Sequence, residues 1–140
     1  MATIEHSAVA DLVVPFAVRV SRKDVADILC TAFEGGSTYW LRRVDEVRLV
    51  GAEGAYKSDV PSCGGALRLR FDDPKQEEGN GKGRFTLRLD DVLRGIGLAM
   101  GPWRENGSGY SLAQICGDEA DAETADVVLQ MAVFGEVIFG

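Results

Sequence analysis

The segment Glu34-Gly35-Gly36-Ser37-Thr38-Tyr39-Trp40 places a carboxylate, hydroxyl groups and two aromatic rings within seven consecutive residues. Glu34, Ser37, Tyr39 and Trp40 form a candidate ligand pocket, because small-molecule sites combine aromatic faces with a few polar groups. The favoured interpretation is structural. In it, the two glycines end a helix in the left-handed conformation that glycine permits, and the aromatic side chains fill the core. A pocket is the alternative.

Arginines supply the second half of the candidate pocket. Arg68 and Arg70 alternate with apolar residues across 66–71, which places both on the outer face of a half-buried strand. For Arg68, Arg70 and Arg88 a solvated face is the favoured interpretation. The alternative is an anion site, in which Arg68 and Arg70 contact the phosphate groups of a ligand held at the 34–40 corner.

Acidic residues concentrate near the C-terminal end of the sequence. The net charge is −7, and residues 111–140 contain no lysine or arginine. Direct binding to nucleic acid is therefore disfavoured, since phosphate contacts need positive charge. Solvated caps and surface are the favoured interpretation, and a partner-binding surface that imitates a nucleic acid is the alternative. The residues of that candidate surface are Asp118, Glu119, Asp121, Glu123 and Asp126.

The residue inventory excludes several kinds of catalysis and metal binding. His6 is the only histidine, which excludes a multi-histidine metal site, and it lies in an N-terminal segment that we expect to be frayed, so we expect no His-based catalytic triad. Cys30, Cys63 and Cys116 are far apart and form no C-x-x-C pair, as expected of reduced thiols. We predict no catalytic residues, no metal and no cofactor. Carboxylate chemistry through residues such as Glu34 and Glu136 is the least favoured alternative.

The elements that must position these residues form a small α+β fold. Their periodicities predict a small antiparallel sheet with about three helices packed on it, in a single domain spanning residues 1–140. The first helix begins with a capping box, Ser21 with Asp24, and Thr86 is predicted to cap the second. The predicted helices are 22–34, 87–100 and one from about 121–123 to 134; the predicted strands are 12–20, 38–50 (bent, or two short strands) and 66–71, with loops at 51–65, 72–84 and 101–117.

The third predicted helix is apolar around most of its circumference. Val127, Met131 and Phe134 extend its apolar character beyond one stripe. A helix of this kind is either central to the core or half of a subunit contact, so a homodimer through the C-terminal helix is an open alternative.

Composition places the chain among globular proteins. It contains 46% apolar and 26% charged residues, and no apolar run reaches the roughly 20 residues that a membrane helix needs. The first residues lack the basic start of a signal peptide. We therefore expect a cytoplasmic protein without a membrane partner.

Three segments, in order, resemble a family of small hypothetical proteins encoded in bacteriophage and prophage genomes. They are residues 27–40, 64–67 and 125–140, which include an EGGxxYW pattern and an FGExxFG pattern. The similarity spans about residues 20–140, and this chain departs from the family in a longer 72–84 loop. The resemblance implies a phage accessory protein that acts inside an infected bacterium, and it carries no known activity.

Two functional hypotheses follow. The leading one is a phage-encoded protein without catalytic activity that binds and inhibits a host macromolecule, for example a component of CRISPR defence, through the acidic surface. The alternative is a protein that binds or sequesters a nucleotide signal at the 34–40 corner, with help from Arg68 and Arg70.

Overall fold

The computed structural model describes Leu12 and residues 15–51, 56–72 and 82–140. Within them, four α-helices pack with a three-stranded antiparallel sheet, which is the small α+β fold that the sequence predicts. The helices are α1 (Arg22–Thr31), α2 (Leu89–Met100), α3 (Leu112–Cys116) and α4 (Ala122–Phe134), and the strands are β1 (Leu41–Arg48), β2 (Ala66–Asp72) and β3 (Lys82–Leu87).

Helix α1 begins at the predicted capping box. The Asp24 amide donates to Ser21 Oγ at 3.0 Å, and the Ser21 amide donates to Asp24 Oδ2 at 3.1 Å. After Thr31 the chain continues in one π-helical turn, Ala32–Gly36, instead of ending in left-handed glycines. Gly36 is needed for a different reason: a Cβ there would lie 2.5 Å from the carbonyl oxygen of Ala122.

The sheet has the strand order β1-β2-β3, with both neighbouring pairs antiparallel. The predicted alternation of β2 is confirmed, because Leu67, Leu69 and Phe71 are buried while the residues between them are less so. β1 is a single strand with two register irregularities, at Leu41/Arg43 and at Glu46/Arg48. The bend expected in segment 38–50 is therefore present as a pair of bulges.

The second helix begins later than predicted, because residues 82–87 form strand β3. Thr86 lies inside β3, opposite Arg68, and does not cap a helix. Helix α2 begins three residues later, where the Arg88 amide donates to Asp91 Oδ2 at 2.8 Å. Within α2, Gly95 allows close packing against α4, since a Cβ there would lie 2.5 Å from the carbonyl oxygen of Val128.

Helix α4 lies in the middle of the core. Every residue from Thr124 to Ala132 is buried within the single chain. The first of the two alternatives for this helix is thereby confirmed, and a subunit contact is not needed to explain its apolar character. Gly135 ends the helix in the left-handed conformation with φ 76°.

The N-terminal segment differs from its prediction. Residues 15–20, which belong to the predicted strand 12–20, form no strand. Phe16 and Val18 are exposed, so the β-type composition of this segment is not matched by burial. Residues 13 and 14 lie outside the described residues.

The predicted loops contain short helical turns. Lys57–Asp59 and Pro61–Cys63 are 3₁₀ turns within 51–65, and α3 lies within 101–117. Residues 73–81, most of the predicted 72–84 loop, lie outside the described residues. None of the described helices combines the length and the apolarity needed to cross a membrane.

Candidate functional site

Three arginines lie side by side across the sheet. The register pairs Arg43 of β1 with Arg70 of β2, and Arg70 with Arg84 of β3. Paired residues on neighbouring strands share a face, and the strands lie about 4.7–4.9 Å apart. Because Leu69 and Phe71, on either side of Arg70, point into the core, this arginine row lies on the opposite face of the sheet.

A cleft of about 430 Å³ lies at the arginine row. Its volume falls within the roughly 300–1,000 Å³ range of small-molecule sites. Gly83 pairs with Phe71 across the strands, and a side chain at Gly83 would overlap the Phe71 ring, so glycine makes room for this buried ring beneath the cleft. We call it the arginine cleft; its lining residues are Arg42, Arg43, Arg70, Phe71, Asp72, Gly83 and Arg84.

Two aspartates partly neutralise the arginine cleft. Arg42 donates to Asp72 Oδ2 from Nη2 at 2.6 Å and from Nε at 2.9 Å. Arg43 Nε donates to Asp45 Oδ1 at 2.7 Å. The hydrogen bond from Arg43 holds the pKa of Asp45 below its usual value, and the hydrogen bond to Asp72 raises the pKa of Arg42. These two arginines therefore have carboxylate partners within the protein.

Arg70 and Arg84 are compensated less fully. Arg70 Nε lies 3.7 Å from Asp45 Oδ2, which is too far for a hydrogen bond. This nitrogen is buried and has no hydrogen-bond partner in the described part of the chain, while the side chain as a whole is 43% exposed. Arg84 is exposed and forms no ion pair with a described carboxylate. In the described part of the chain, neither Arg70 nor Arg84 has a carboxylate partner within hydrogen-bond distance.

The structure does not bring the two halves of the predicted pocket together. Arg68 and Arg70 lie on the outer face of the sheet, whereas the turn 37–40 faces α4 on the other side. Glu34 is exposed and lines a separate groove with Lys57. The predicted pocket residues therefore belong to three different places.

Asp126 is the acceptor at the centre of a buried polar network. Its Oδ1 accepts hydrogen bonds from Ser37 Oγ at 2.8 Å and from Trp40 Nε1 at 2.7 Å. Its Oδ2 accepts from Tyr39 OH at 2.6 Å and from Gln130 Nε2 at 3.0 Å. Trp40 is buried as the structural interpretation of this corner predicts, whereas Tyr39 is 48% exposed and does not fill the core. We call these five residues the Asp126 network.

Gln130 extends this network to the end of the chain. Its Oε1 accepts from the amides of Ile138 and Phe139, each at 2.8 Å, and its Nε2 donates to the carbonyl of Phe139 at 3.1 Å. The Phe139 ring stacks on Trp40, with centroids 5.6 Å apart and an interplanar angle of 6°. The C-terminal residues thus close over the 37–40 turn, and the side-chain amide of Gln130 is fully used.

The position of Asp126 corrects the predicted acidic surface. Asp126 is only 7% exposed, and its four hydrogen bonds are internal. It therefore does not belong to an external binding surface. The other four predicted residues are exposed and follow one another over 118–123, which we call the acidic segment: Asp118, Glu119, Asp121 and Glu123.

Part of the acidic segment already has a structural role. Asp121 caps α4, accepting a hydrogen bond from the Thr124 amide at 2.9 Å. Glu123 accepts one from Tyr110 OH at 3.2 Å, and burial raises the pKa of Tyr110. Glu119, Asp121 and Glu123 line a cleft of about 310 Å³ on this side of the molecule.

The described residues contain no group of three or more His, Cys, Asp or Glu side chains arranged to hold a metal ion. Cys30, Cys63 and Cys116 form no disulfide with one another. Burial raises the pKa of Cys116 to about 11, so its thiol stays protonated and unreactive at neutral pH.

Sequence reasoning identified Arg70 but missed Arg42, Arg43 and Arg84. Their convergence depends on the register between strands, which no single segment of sequence contains. The available signal was the alternation of polar and less polar residues over Lys82–Leu87, which identifies β3 and places Arg84 outward. Arg88, considered for an anion site, is exposed after β3 and is not among the lining residues of the arginine cleft.

No family model, curated protein or solved structure matches this chain. The resemblance to phage and prophage proteins therefore stays a prediction.

Proposed function

We propose that the protein is a binding protein for a small phosphate-bearing ligand, such as a nucleotide, held in the arginine cleft. The observation that carries the proposal is the arginine row, Arg43-Arg70-Arg84, in register across all three strands. The proposal keeps the phosphate contact expected of Arg70 and moves the site from the 34–40 corner to the outer face of the sheet.

The physical reason is electrostatic. Like charges placed directly opposite one another on neighbouring strands repel and destabilise the sheet. Two aspartates relieve part of this repulsion, but Arg70 and Arg84 stay adjacent without hydrogen-bonded carboxylates of their own in the described residues. A phosphate group accepts paired hydrogen bonds from guanidinium groups and relieves the remaining repulsion.

A thermal-shift panel of nucleoside mono-, di- and triphosphates, cyclic nucleotides and inorganic phosphate tests the proposal. A bound ligand at 100 times its dissociation constant adds about 2.7 kcal/mol to the free energy of unfolding. We expect at least one phosphate compound to raise the melting temperature, and calorimetry to show that the double variant Arg70→Gln/Arg84→Gln binds it at least about tenfold more weakly.

The matched control is Arg19→Gln/Arg88→Gln, which removes the same charge from two exposed arginines outside the cleft. It should bind as the unmodified protein does. If no phosphate compound changes the melting temperature, or if both double variants lose affinity equally, the arginine cleft is not the site.

A second candidate function is the capture of a basic macromolecular partner, such as a host protein, through the acidic segment. It is supported by the exposure of Asp118, Glu119, Asp121 and Glu123, none of which forms an ion pair with a described cation. Such an association should weaken steeply between low and moderate salt. The variant Asp118→Asn/Glu119→Gln should reduce it, and salt-independent binding would exclude this surface.

A further inference from the structure

The residues around the arginine cleft carry more positive than negative charge. Four arginines line it, at positions 42, 43, 70 and 84, and two aspartates, Asp45 and Asp72, form ion pairs with them. Among the lining residues and their ion-pair partners, four cations against two anions leave two positive charges without compensation.

The surplus is located on one side of the cleft. Asp72 is hydrogen-bonded to Arg42, and Asp45 is hydrogen-bonded to Arg43. The remaining cations, Arg70 and Arg84, are direct neighbours on β2 and β3. Among the lining residues, the uncompensated charge therefore lies at one adjacent pair of guanidinium groups, and Arg68, two residues from Arg70 on the same face, adds a further cation beside them.

The face around this pair offers little surface for stacking a base. The next cross-strand row consists of Asp45, Arg68 and Thr86, none of which is aromatic. Phe71, the aromatic residue that lines the cleft, is only 6% exposed. Sheet surfaces that bind single-stranded nucleic acid depend on exposed aromatic side chains. Recognition here must therefore come from the phosphate.

We infer that the arginine cleft is specific for a phosphate monoester, whose terminal phosphate lies between Arg70 and Arg84. A monoester carries a charge of about −1.5 to −2 at pH 7, which matches the surplus of two positive charges. A phosphodiester carries only one negative charge for each phosphate and has fewer free oxygens for two guanidinium groups. The cleft volume of about 430 Å³ leaves room for the organic part of the ester.

This inference rests on the proposed function, and a matched pair of probes separates the two. Adenosine 5′-monophosphate and adenosine 3′,5′-cyclic monophosphate share base and sugar but present a monoester and a diester. Calorimetry on the full chain at pH 7.5 should show the monoester binding at least about tenfold more tightly, since one charge-assisted contact is worth about that factor. Phenyl phosphate, which has no nucleobase, should bind within a few-fold of the nucleotide monoester.

Two single variants test the location of the surplus. Arg84→Gln should remove most of the preference for the monoester. Arg42→Gln, at an arginine already hydrogen-bonded to Asp72, should change the affinity for it by less than about threefold. Both side chains are exposed, and an unchanged melting temperature without ligand confirms that each variant is folded.

The outcomes are separable. Equal or tighter binding of the cyclic diester, or binding of a polyphosphate but neither monoester, would overturn the inference and leave the anion site in place. Equal losses in Arg84→Gln and Arg42→Gln would overturn the assigned position of the phosphate. If none of these probes and no member of the thermal-shift panel binds, the inference and the proposed function both fail.

Discussion

The Asp126 network and the arginine cleft are two polar regions on opposite sides of the same sheet, and they use charge in opposite ways. Asp126 is buried and accepts four hydrogen bonds from side chains of the protein. Arg70 and Arg84 lie on the outer face, where the described residues leave them without a hydrogen-bonded carboxylate. The carboxylate of the first region is thus fully hydrogen-bonded within the fold, whereas the two arginines of the second have no such partner among the described residues.

The contrast shows that a charged residue is a better guide to function when its hydrogen-bond partners are known than when only its place in the sequence is known. Asp126 belongs to the most acidic part of the sequence, yet its hydrogen-bonding capacity is used within the fold. Arg70 belongs to an ordinary alternating strand, yet its guanidinium group is only partly compensated.

The largest effect is expected from Asp126→Ala. The substitution leaves the donors of Ser37 and Trp40 buried without an acceptor, so we expect the free energy of unfolding to fall by about 3–5 kcal/mol. Urea denaturation measures the change. Asp118→Ala, at an exposed position in the same acidic stretch, is the control and should stay within about 0.5 kcal/mol of the unmodified protein. A loss below about 1 kcal/mol for Asp126→Ala would show that the network is not structural.

Gln130→Ala should have the next largest effect. It removes the partner of the Ile138 and Phe139 amides, and we expect a loss of about 2–3 kcal/mol in the free energy of unfolding. Hydrogen exchange should show these two amides losing protection, with α1 unaffected. Unchanged exchange at both amides would contradict the role of Gln130 in holding the C-terminal residues.

The Asp126 network should also be visible at high pH. Burial of the phenol, followed by its hydrogen bond to Asp126, raises the pKa of Tyr39 to about 12 from the usual 10.0. Because the folded-state pKa is above the unfolded one, the stabilisation is complete below pH 10 and is lost as the pH rises toward about 12. Ultraviolet titration of the tyrosines, compared with Tyr39→Phe, isolates this group. Asp126→Asn should lower the pKa of Tyr39. An unchanged pKa would show that the carboxylate of Asp126 does not contribute to the shift.

The smallest effect on stability is expected at the arginine cleft. Arg70→Gln and Arg84→Gln should each change the free energy of unfolding by no more than about 0.5 kcal/mol, since both act on an exposed face. The same urea measurement used for Asp126→Ala applies. A loss comparable to that of Asp126→Ala would place these arginines among the structural residues and remove the contrast between the two regions.

Local sequence signals predicted the elements whose cause is local. Ser21 and Asp24 cap α1 as expected, because both halves of a capping box lie within one turn. The alternation of 66–71 identified β2, and the apolar run after residue 121 identified α4. Each of these elements is specified by its own residues, so tertiary contacts did not change its type.

The errors concern features that depend on distant partners. Ser37 and Trp40 reach Asp126 from 89 and 86 residues away, so the helical pattern around Asp126 gave no sign of a buried carboxylate. The 15–20 segment has strand composition but no neighbouring strand in the described sheet. The arginine row depends on the register of both strand pairs, β1 with β2 and β2 with β3. Arg84 was predicted to lie at the end of the 72–84 loop, so its place in β3 was missed.

The bulges of β1 also affect how the molecule meets other chains. An edge strand presents unpaired backbone groups on which a foreign strand can extend the sheet. In the described sheet β1 is bordered only by β2, but its two irregularities interrupt the regular spacing of those groups. The ammonium group of Lys57 also donates to the carbonyl oxygen of Val44 at 2.7 Å and so occupies one acceptor of this strand. β1 is thus a poor template for the addition of a foreign strand.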